Sequence, residues 1–233
     1  MRTFYPKLRP MVHTLTCNAF GEQTYVVERG DGGLTVVDPG MASSEERATF
    51  QHLCDRLNAK PVQVLLTHAH LDHVMGCGWM KDTYGLTPRL HPADRETYEQ
   101  APRMAKVYGV RMDAVPAATF DLRHGDTLTC GQLELEVRFV PGHAPGHVAF
   151  VCHSQGWALG GDVLFRGSVG RTDLPGCDAS ALAQSIKAQI FTLPDSMVVW
   201  PGHGGPTTVG DEKRGNPFVN GAGSGLLQCE AEG

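Results

Sequence analysis

Thr67-His68-Ala69-His70-Leu71-Asp72-His73 places three imidazoles and a carboxylate within six positions, directly after the apolar run Val62-Gln63-Val64-Leu65-Leu66. A β-branched apolar run that ends in polar residues reads as a buried strand, so the histidines fall at its carboxyl end and on the loop into a helix. Layered α/β folds carry their chemistry at such strand ends. His68 and His70 can converge on one metal, while Asp72 and His73, on the turn that follows, can point at a second. Nothing about stability asks for this cluster.

Working outward, similar side chains recur just past other expected strands. Gln132 to Val140 alternates, with Leu133, Leu135, Val137 and Phe139 on one side and Glu134, Glu136 and Arg138 on the other. It delivers Pro141-Gly142-His143. Trp157-Ala158-Leu159 runs into Gly160-Gly161-Asp162, and Met197 to Trp200 runs into Pro201-Gly202-His203-Gly204. The proline and glycine of these turns fix each imidazole on a loop of little freedom and let the backbone approach a cation or substrate. Five histidines (His68, His70, His73, His143, His203) and two aspartates (Asp72, Asp162) are more than one metal needs. They fit two metals that share a carboxylate, each with a position open to water.

The rest of the chain frames these loops. Strands are expected over Met11 to Leu15, Gln23 to Glu28 and Leu34 to Val37, the last pair joined by Gly30-Asp31-Gly32-Gly33. Ser43 and Glu46 form a capping box ahead of Phe50, Leu53, Cys54 and Leu57 at helical spacing, and Lys60-Pro61 closes that helix. A second helix is expected from Val74 to Tyr84, stopped by Gly85, and a third from Pro92 to about Tyr108. Residues 109–120 read as a surface excursion over the site. Val148 to Cys152 is a further strand, and Asp178 caps a helix carrying Leu182, Ile186 and Ile190. Two face-to-face sheets with helices on the outer faces satisfy this order. With 233 residues, 41% of them hydrophobic, one domain over 1–220 is expected, followed by a mobile glycine-rich tail at 221–233.

Composition narrows the partners. A net charge of -5 with no basic run gives no signature of nucleic-acid binding, which favours a small-molecule partner. No stretch is long and apolar enough for a membrane span or a signal peptide, and a cytoplasmic location is expected. Seven scattered cysteines without a Cys-x-x-Cys pair read as reduced, mostly buried thiols, Cys229 in the tail being exposed. His147 reads either as a structural residue or as a neighbour of the site. His13, His52, His91, His124 and His153 read as surface or satisfied residues, and Trp79 and Trp200 as core.

The sequence resembles the metallo-β-lactamase superfamily. The His-x-His-x-Asp-His motif stands as His68, His70, Asp72 and His73, followed by His143, Asp162 and His203, and the likeness runs from about Asn18 to Phe218. The resemblance implies an α+β fold, an αββα sandwich of two mixed sheets flanked by helices, with the metals in the groove between the sheets. It assigns His68, His70 and His143 to one metal, Asp72, His73 and His203 to the other, and Asp162 to both. Gly161 to Phe165, Gly170-Arg171-Thr172-Asp173 and Asn216-Pro217-Phe218 are similar to short bacterial glyoxalase II-like hydrolases.

That likeness implies hydrolysis of a thioester of the S-lactoylglutathione type, with Asp72 and Asp162 as catalytic carboxylates around a metal-bound hydroxide and Arg171 holding a glutathione carboxylate. Two divalent ions are expected, zinc first, with iron or manganese admitted by the all-His/Asp set. Asp162 departs from the lactamase classes that place cysteine there. The alternative is a mononuclear iron persulfide dioxygenase, a family that shows Pro-Ala-His-Asp where this chain has Pro201-Gly202-His203-Gly204; a lactonase is the third reading.

Overall fold

The computed structural model describes residues 12–220. In chain order the elements are β1 (Val12–Cys17), β2 (Glu22–Glu28), β3 (Gly33–Val37), α1 (Ser44–Leu57), β4 (Lys60–Leu65), α2 (Leu71–Val74), α3 (Cys77–Tyr84), β5 (Pro88–Leu90), α4 (Arg95–Val107) and β6 (Thr119–Phe120). The second half continues with β7 (Thr127–Cys130), β8 (Leu133–Phe139), β9 (Val148–Cys152), β10 (Trp157–Gly161), β11 (Leu164–Phe165), β12 (Ser168–Val169), α5 (Ala179–Ser185), β13 (Val198–Pro201), β14 (Thr207–Thr208), α6 (Val209–Gly215) and α7 (Pro217–Asn220).

β1 to β6 form one six-stranded sheet in sequence order, and a second runs β14-β13-β10-β9-β8-β7. Both are mixed: β1, β2 and β3 are antiparallel while β3 to β6 are parallel, and the parallel pair of the second sheet is β10 with β13. Strand alternation decides which layer each side chain joins. Tyr25, Val27 and Val37 face the other sheet and meet Leu135, Val137, Phe150 and Leu159 there. Their neighbours Val26, Val36 and Val64 face outward and meet Phe50 and Leu53 of α1 and Met80 of α3. On the far side, Ala149, Val151 and Val199 meet Leu182, Ile186 and Ile190. The molecule is therefore an αββα sandwich, as the resemblance implies.

Local signals mostly hold. Ser43 accepts from the Glu46 amide while Glu46 reaches back, the expected capping box, a device typically worth about 1 kcal/mol. Asp178 accepts from the Ala181 amide and starts α5, whose last turn widens into a π-helix over Ile186–Ile190.

Several expectations are corrected. Lys60-Pro61 does not close α1; Asn58 does, in the left-handed conformation at φ 48°, and β4 already starts at Lys60. The helix expected from Val74 divides into α2, which begins at Leu71, and α3, because Gly76 packs against the backbone of Pro39. Residues 109–120 do not lie over the groove. Met112, Val115 and Ala118 are packed beneath α4, and the segment ends as edge strand β6. Cys17, Cys54, Cys77, Cys130 and Cys152 are buried free thiols and Cys177 is half-buried. Met11, Cys229 and the tail lie outside the described residues. Among the described residues, no helix is long and apolar enough to cross a membrane.

Candidate metal centre

The sequence places the seven candidate residues at the ends of four strands, and the sandwich gathers them at one end of its groove. His68, His70 and His143 form one group whose ring nitrogens lie within 4.8 Å of one another; Asp72, His73 and His203 form a second. Asp162 stands between the groups. Its Oδ2 is 3.4 Å from His143 Nε2 and 3.6 Å from His203 Nε2, and its Oδ1 is 3.5 Å from His73 Nε2. His203 Nε2 lies 3.0 Å from Asp72 Oδ2.

The outward nitrogens are held by a buried frame. Asp38, at the end of β3 with a left-handed φ of 52°, accepts from the Thr67 amide at 2.7 Å and the Thr67 hydroxyl at 2.6 Å, and faces His73 Nδ1 at 3.0 Å. Thr67 Oγ1, having given its proton to Asp38, accepts from His68 Nδ1 at 3.0 Å. His143 Nδ1 donates to the Arg171 carbonyl at 2.8 Å. This network orients the rings and leaves the Nε2 atoms of His68, His73 and His143 directed into the site. A second carboxylate, Asp94, accepts from the amides of Ala69 and Gly146, tying the first histidine loop to the Pro-Gly-His turns.

These residues fit bound cations. His68 Nε2, His73 Nε2 and Asp162 Oδ1 are buried without a hydrogen-bond partner, a costly arrangement for polar atoms unless a ligand completes it. His70 Nδ1 and His143 Nε2, both aimed inward, are only 2.8 Å apart. Burial pushes His68 well below the ordinary imidazole range, His70 down to about 3 and His143 down to about 4, which keeps them as neutral donors. In the other group burial also opposes charge on His73, but Asp72, Asp162 and Asp38 outweigh it and lift the imidazole to about 10. A divalent cation would take the place of that proton. Burial raises Asp162, whereas the field of His73 and the His203 hydrogen bond outweigh burial and lower Asp72.

Two glycines permit the close approach. A Cβ on Gly202 would overlap Asp162 Oδ1 and stand 2.7 Å from His73 Cε1, and one on Gly170 would overlap the Asp162 carbonyl and press on the His143 ring.

A cavity of about 650 Å³ opens over the centre, lined among others by His70, Asp72, His143, Asp162 and His203. Arg171 also lines it, with its guanidinium exposed and paired to Asp173, Nε to Oδ1 at 2.6 Å and Nη2 to Oδ2 at 2.8 Å. His147 is fully buried, stacks on His68 at 4.7 Å and accepts from the Asp162 amide at 2.9 Å. Asp38 and Asp94 belong to the frame, Glu22 Oε1 stands 3.9 Å from His73 Nδ1, and none of the three was expected from the sequence. Asp38 sits at the same strand end as His68 on the neighbouring strand, but in the sequence Asp38-Pro39-Gly40 reads only as the end of its strand. Among the remaining histidines, His13 pairs with Glu28 and His153 with Glu136, away from the centre.

Comparison with known proteins identifies the family of this chain. The family model described as Metallo-beta-lactamase superfamily matches residues 18–203. The Haemophilus influenzae protein called hydroxyacylglutathione hydrolase GloC is 32% identical over 211 residues, covering 90% of this chain and 98% of its own. The crystal structure of TTHA1623 in a di-iron-bound form is 39% identical with a TM-score of 0.81, covering 89% of this chain and all of that one. The BLEG-1 B3 metallo-beta-lactamase structure is 31% identical with a TM-score of 0.82, covering 91% of this chain and all of that one. Sequence motif, sandwich and paired His/Asp groups thus converge, and the chain belongs to the metallo-β-lactamase superfamily as a metallo-hydrolase.

Proposed function

We propose that this chain is a binuclear metal-dependent thioester hydrolase of the glyoxalase II type. The observation that carries the reading is the pair of ligand groups meeting at Asp162, with unpartnered buried atoms on His68, His73 and Asp162 turned toward the same space. His68, His70 and His143 would hold one ion, Asp72, His73 and His203 the other, and Asp162 both. Divalent ions bound there supply Lewis acidity and bring the pKa of a bound water to about 7. The family resemblance to GloC supports the substrate class, and the di-iron neighbour supports two metals. Zinc and iron both suit an all-nitrogen-and-oxygen set.

The protein's part is positioning. Asp38, Thr67 and the Arg171 carbonyl hold three imidazoles by their outer nitrogens, so the reacting geometry is built before substrate arrives. The half-buried His203 and Asp72 face the cavity, where the acyl group enters. In the overall reaction the acyl carbon–sulfur bond breaks, the water oxygen joins the acyl group, and one water proton leaves with the thiolate. A thiolate departs without a strong general acid, which suits a site whose cavity-facing groups are mostly ligands.

Arg171 recognises a substrate carboxylate in this reading, in exchange with Asp173. Arg171→Ala should raise KM for a glutathione thioester by roughly ten- to a hundredfold with kcat little changed, and Asp173→Ala should lower it. Equal KM losses on a thioester lacking carboxylates would make Arg171 structural.

The deciding experiment is metal analysis of the purified protein beside three assays: S-lactoylglutathione hydrolysis, β-lactam hydrolysis, and oxygen uptake with glutathione persulfide. Near two metals per chain with thioester hydrolysis is expected. One iron per chain with oxygen consumption would replace the reading with the dioxygenase.

A further inference from the structure

The floor of the cavity is polar, yet much of its lining is not. Leu71, Met104 and Tyr108 line it together with Phe20, a residue far from Tyr108 in sequence. Phe20 and Tyr108 meet edge to face, with centroids 5.9 Å apart and planes at 88°, although Phe20 remains 38% and Tyr108 48% exposed. Exposed aromatic surface bordering a polar centre marks a place where a ligand is to be covered.

The wall is braced against the metal floor. Phe20 rides on the β1–β2 turn, whose Asn18 adopts a left-handed φ of 51° and accepts from the Phe20 amide at 3.0 Å. The Asn18 amide side chain then donates to the Asp72 carbonyl at 2.9 Å and to the Gly40 carbonyl at 3.0 Å, and its backbone amide donates to Glu46 at 2.7 Å. One residue therefore fixes the aromatic wall relative to a candidate ligand. On the other flank, Tyr108 closes α4, its amide donating to Met104.

Charge separates this wall from the rest of the rim. Arg171, the one arginine or lysine lining the cavity among the described residues, stands on the 166–176 loop, whereas α4 presents Glu96, the neutral Thr97 and Gln100, and the apolar Ala101 and Met104. An anionic thiol moiety belongs over the loop. The remaining half of a thioester, the acyl group, falls to the α4 side.

We propose that Phe20, Leu71, Met104 and Tyr108 form an acyl pocket, so that the chain prefers thioesters of apolar acyl groups, medium alkyl or aryl, over short hydroxyacyl ones. This rests on the thioester reading above and specifies its substrate. Each methylene covered by such a wall contributes up to about fourfold in affinity or in kcat/KM.

The test uses the metal-loaded full-length protein and two series of thioesters of N-acetylcysteamine and of glutathione, running from acetyl to octanoyl. In parallel, the binding of non-hydrolysable thioethers with the same chains is measured by calorimetry. Expected is a two- to fourfold rise per methylene in both kcat/KM and affinity up to about six carbons, flattened in Phe20→Ser/Tyr108→Ser. Asn18→Ala, which frees Phe20 from the Asp72 loop, should weaken the slope.

A flat acyl series, a slope that survives the double substitution, or a slope found only when the thiol half is lengthened would overturn the pocket. If chain-length-dependent binding is present without any thioester turnover, the pocket stands and the thioester reading falls. Turnover without chain-length dependence gives the reverse.

Discussion

The loop after β4 supplies four of the seven candidate ligands within six residues, whereas the second sheet supplies three from positions 143, 162 and 203, each at the end of a different strand. The first half is a local object, held from below by Asp38 and Asp94 acting on backbone amides. The second exists only when β8, β10 and β13 are in register, and Gly202 and Gly170 must leave room for it. A compact loop can thus be held by hydrogen bonds from a few residues, while a dispersed set needs a whole sheet and backbone without side chains at the crossing points.

Asp162 is where the two halves join, so its loss should have the largest effect. Asp162→Ala is expected to reduce metal content in both groups and to lower kcat by on the order of a thousandfold or more. Plasma emission analysis that still found two ions per chain would break the division of the site into halves sharing one carboxylate.

Asp38→Asn should strike the local half. Its amide can still accept from one Thr67 donor but presents an NH₂ group to the other partners, and a 10- to 100-fold loss of metal affinity is expected. Titration with a chromophoric chelator reads this directly; unchanged affinity would mean that Thr67 and His73 hold their orientation without Asp38. Gly202→Ala strikes the dispersed half, because its Cβ overlaps Asp162 Oδ1. Unfolding in urea should show about 1–3 kcal/mol lost, with Asp162-dependent binding impaired and the Asp38 frame intact.

A pH-dependent effect sharpens the role of Asp94. Burial raises this carboxyl to about 6, against the pull of the two amides it accepts from. The folded chain then holds the proton more tightly than the unfolded chain, so its contribution is complete below about pH 4 and is lost as pH rises through about 6. The span is about 3 kcal/mol at most. With chelator present, the stability difference between wild type and Asp94→Asn should shift by that order between pH 4 and pH 7. A constant difference would place the Asp94 titration at its ordinary pH.

Much of the site was legible because its residues are chemically expensive and repetitive. His68 to His73 stands out as a cluster, and three Pro-Gly-His turns, ending at His143, His147 and His203, repeat one device at strand ends. The same repetition could have drawn His147 into the site, where it stacks on His68. One face of the second sheet was legible from alternation, as at Leu133, Leu135 and Val137. What the sequence hid were residues that act through space. Asp94 sits in a Pro-Ala-Asp helix start with no local sign that it reaches Ala69 and Gly146. Phe20 and Tyr108 look like ordinary surface aromatics until the fold brings them together. The segment 109–120 was misread because weak periodicity describes a strap packed under a helix as well as a loop over a groove.

His203 pairs with Glu22 in an isolated antiparallel bridge, the Gln23 amide donates to the Gly202 carbonyl at 2.8 Å, and the Tyr25 hydroxyl donates to the Pro201 carbonyl at 2.6 Å. These contacts join the first complete strand pair of the chain to its last long strand, and links of such sequence separation close late because loop entropy must first be overcome. During synthesis, the histidine loop after β4 is made long before its completing partner leaves the ribosome. Full assembly of the centre therefore waits for His203: a product cut short before that residue carries an incomplete set of candidate ligands.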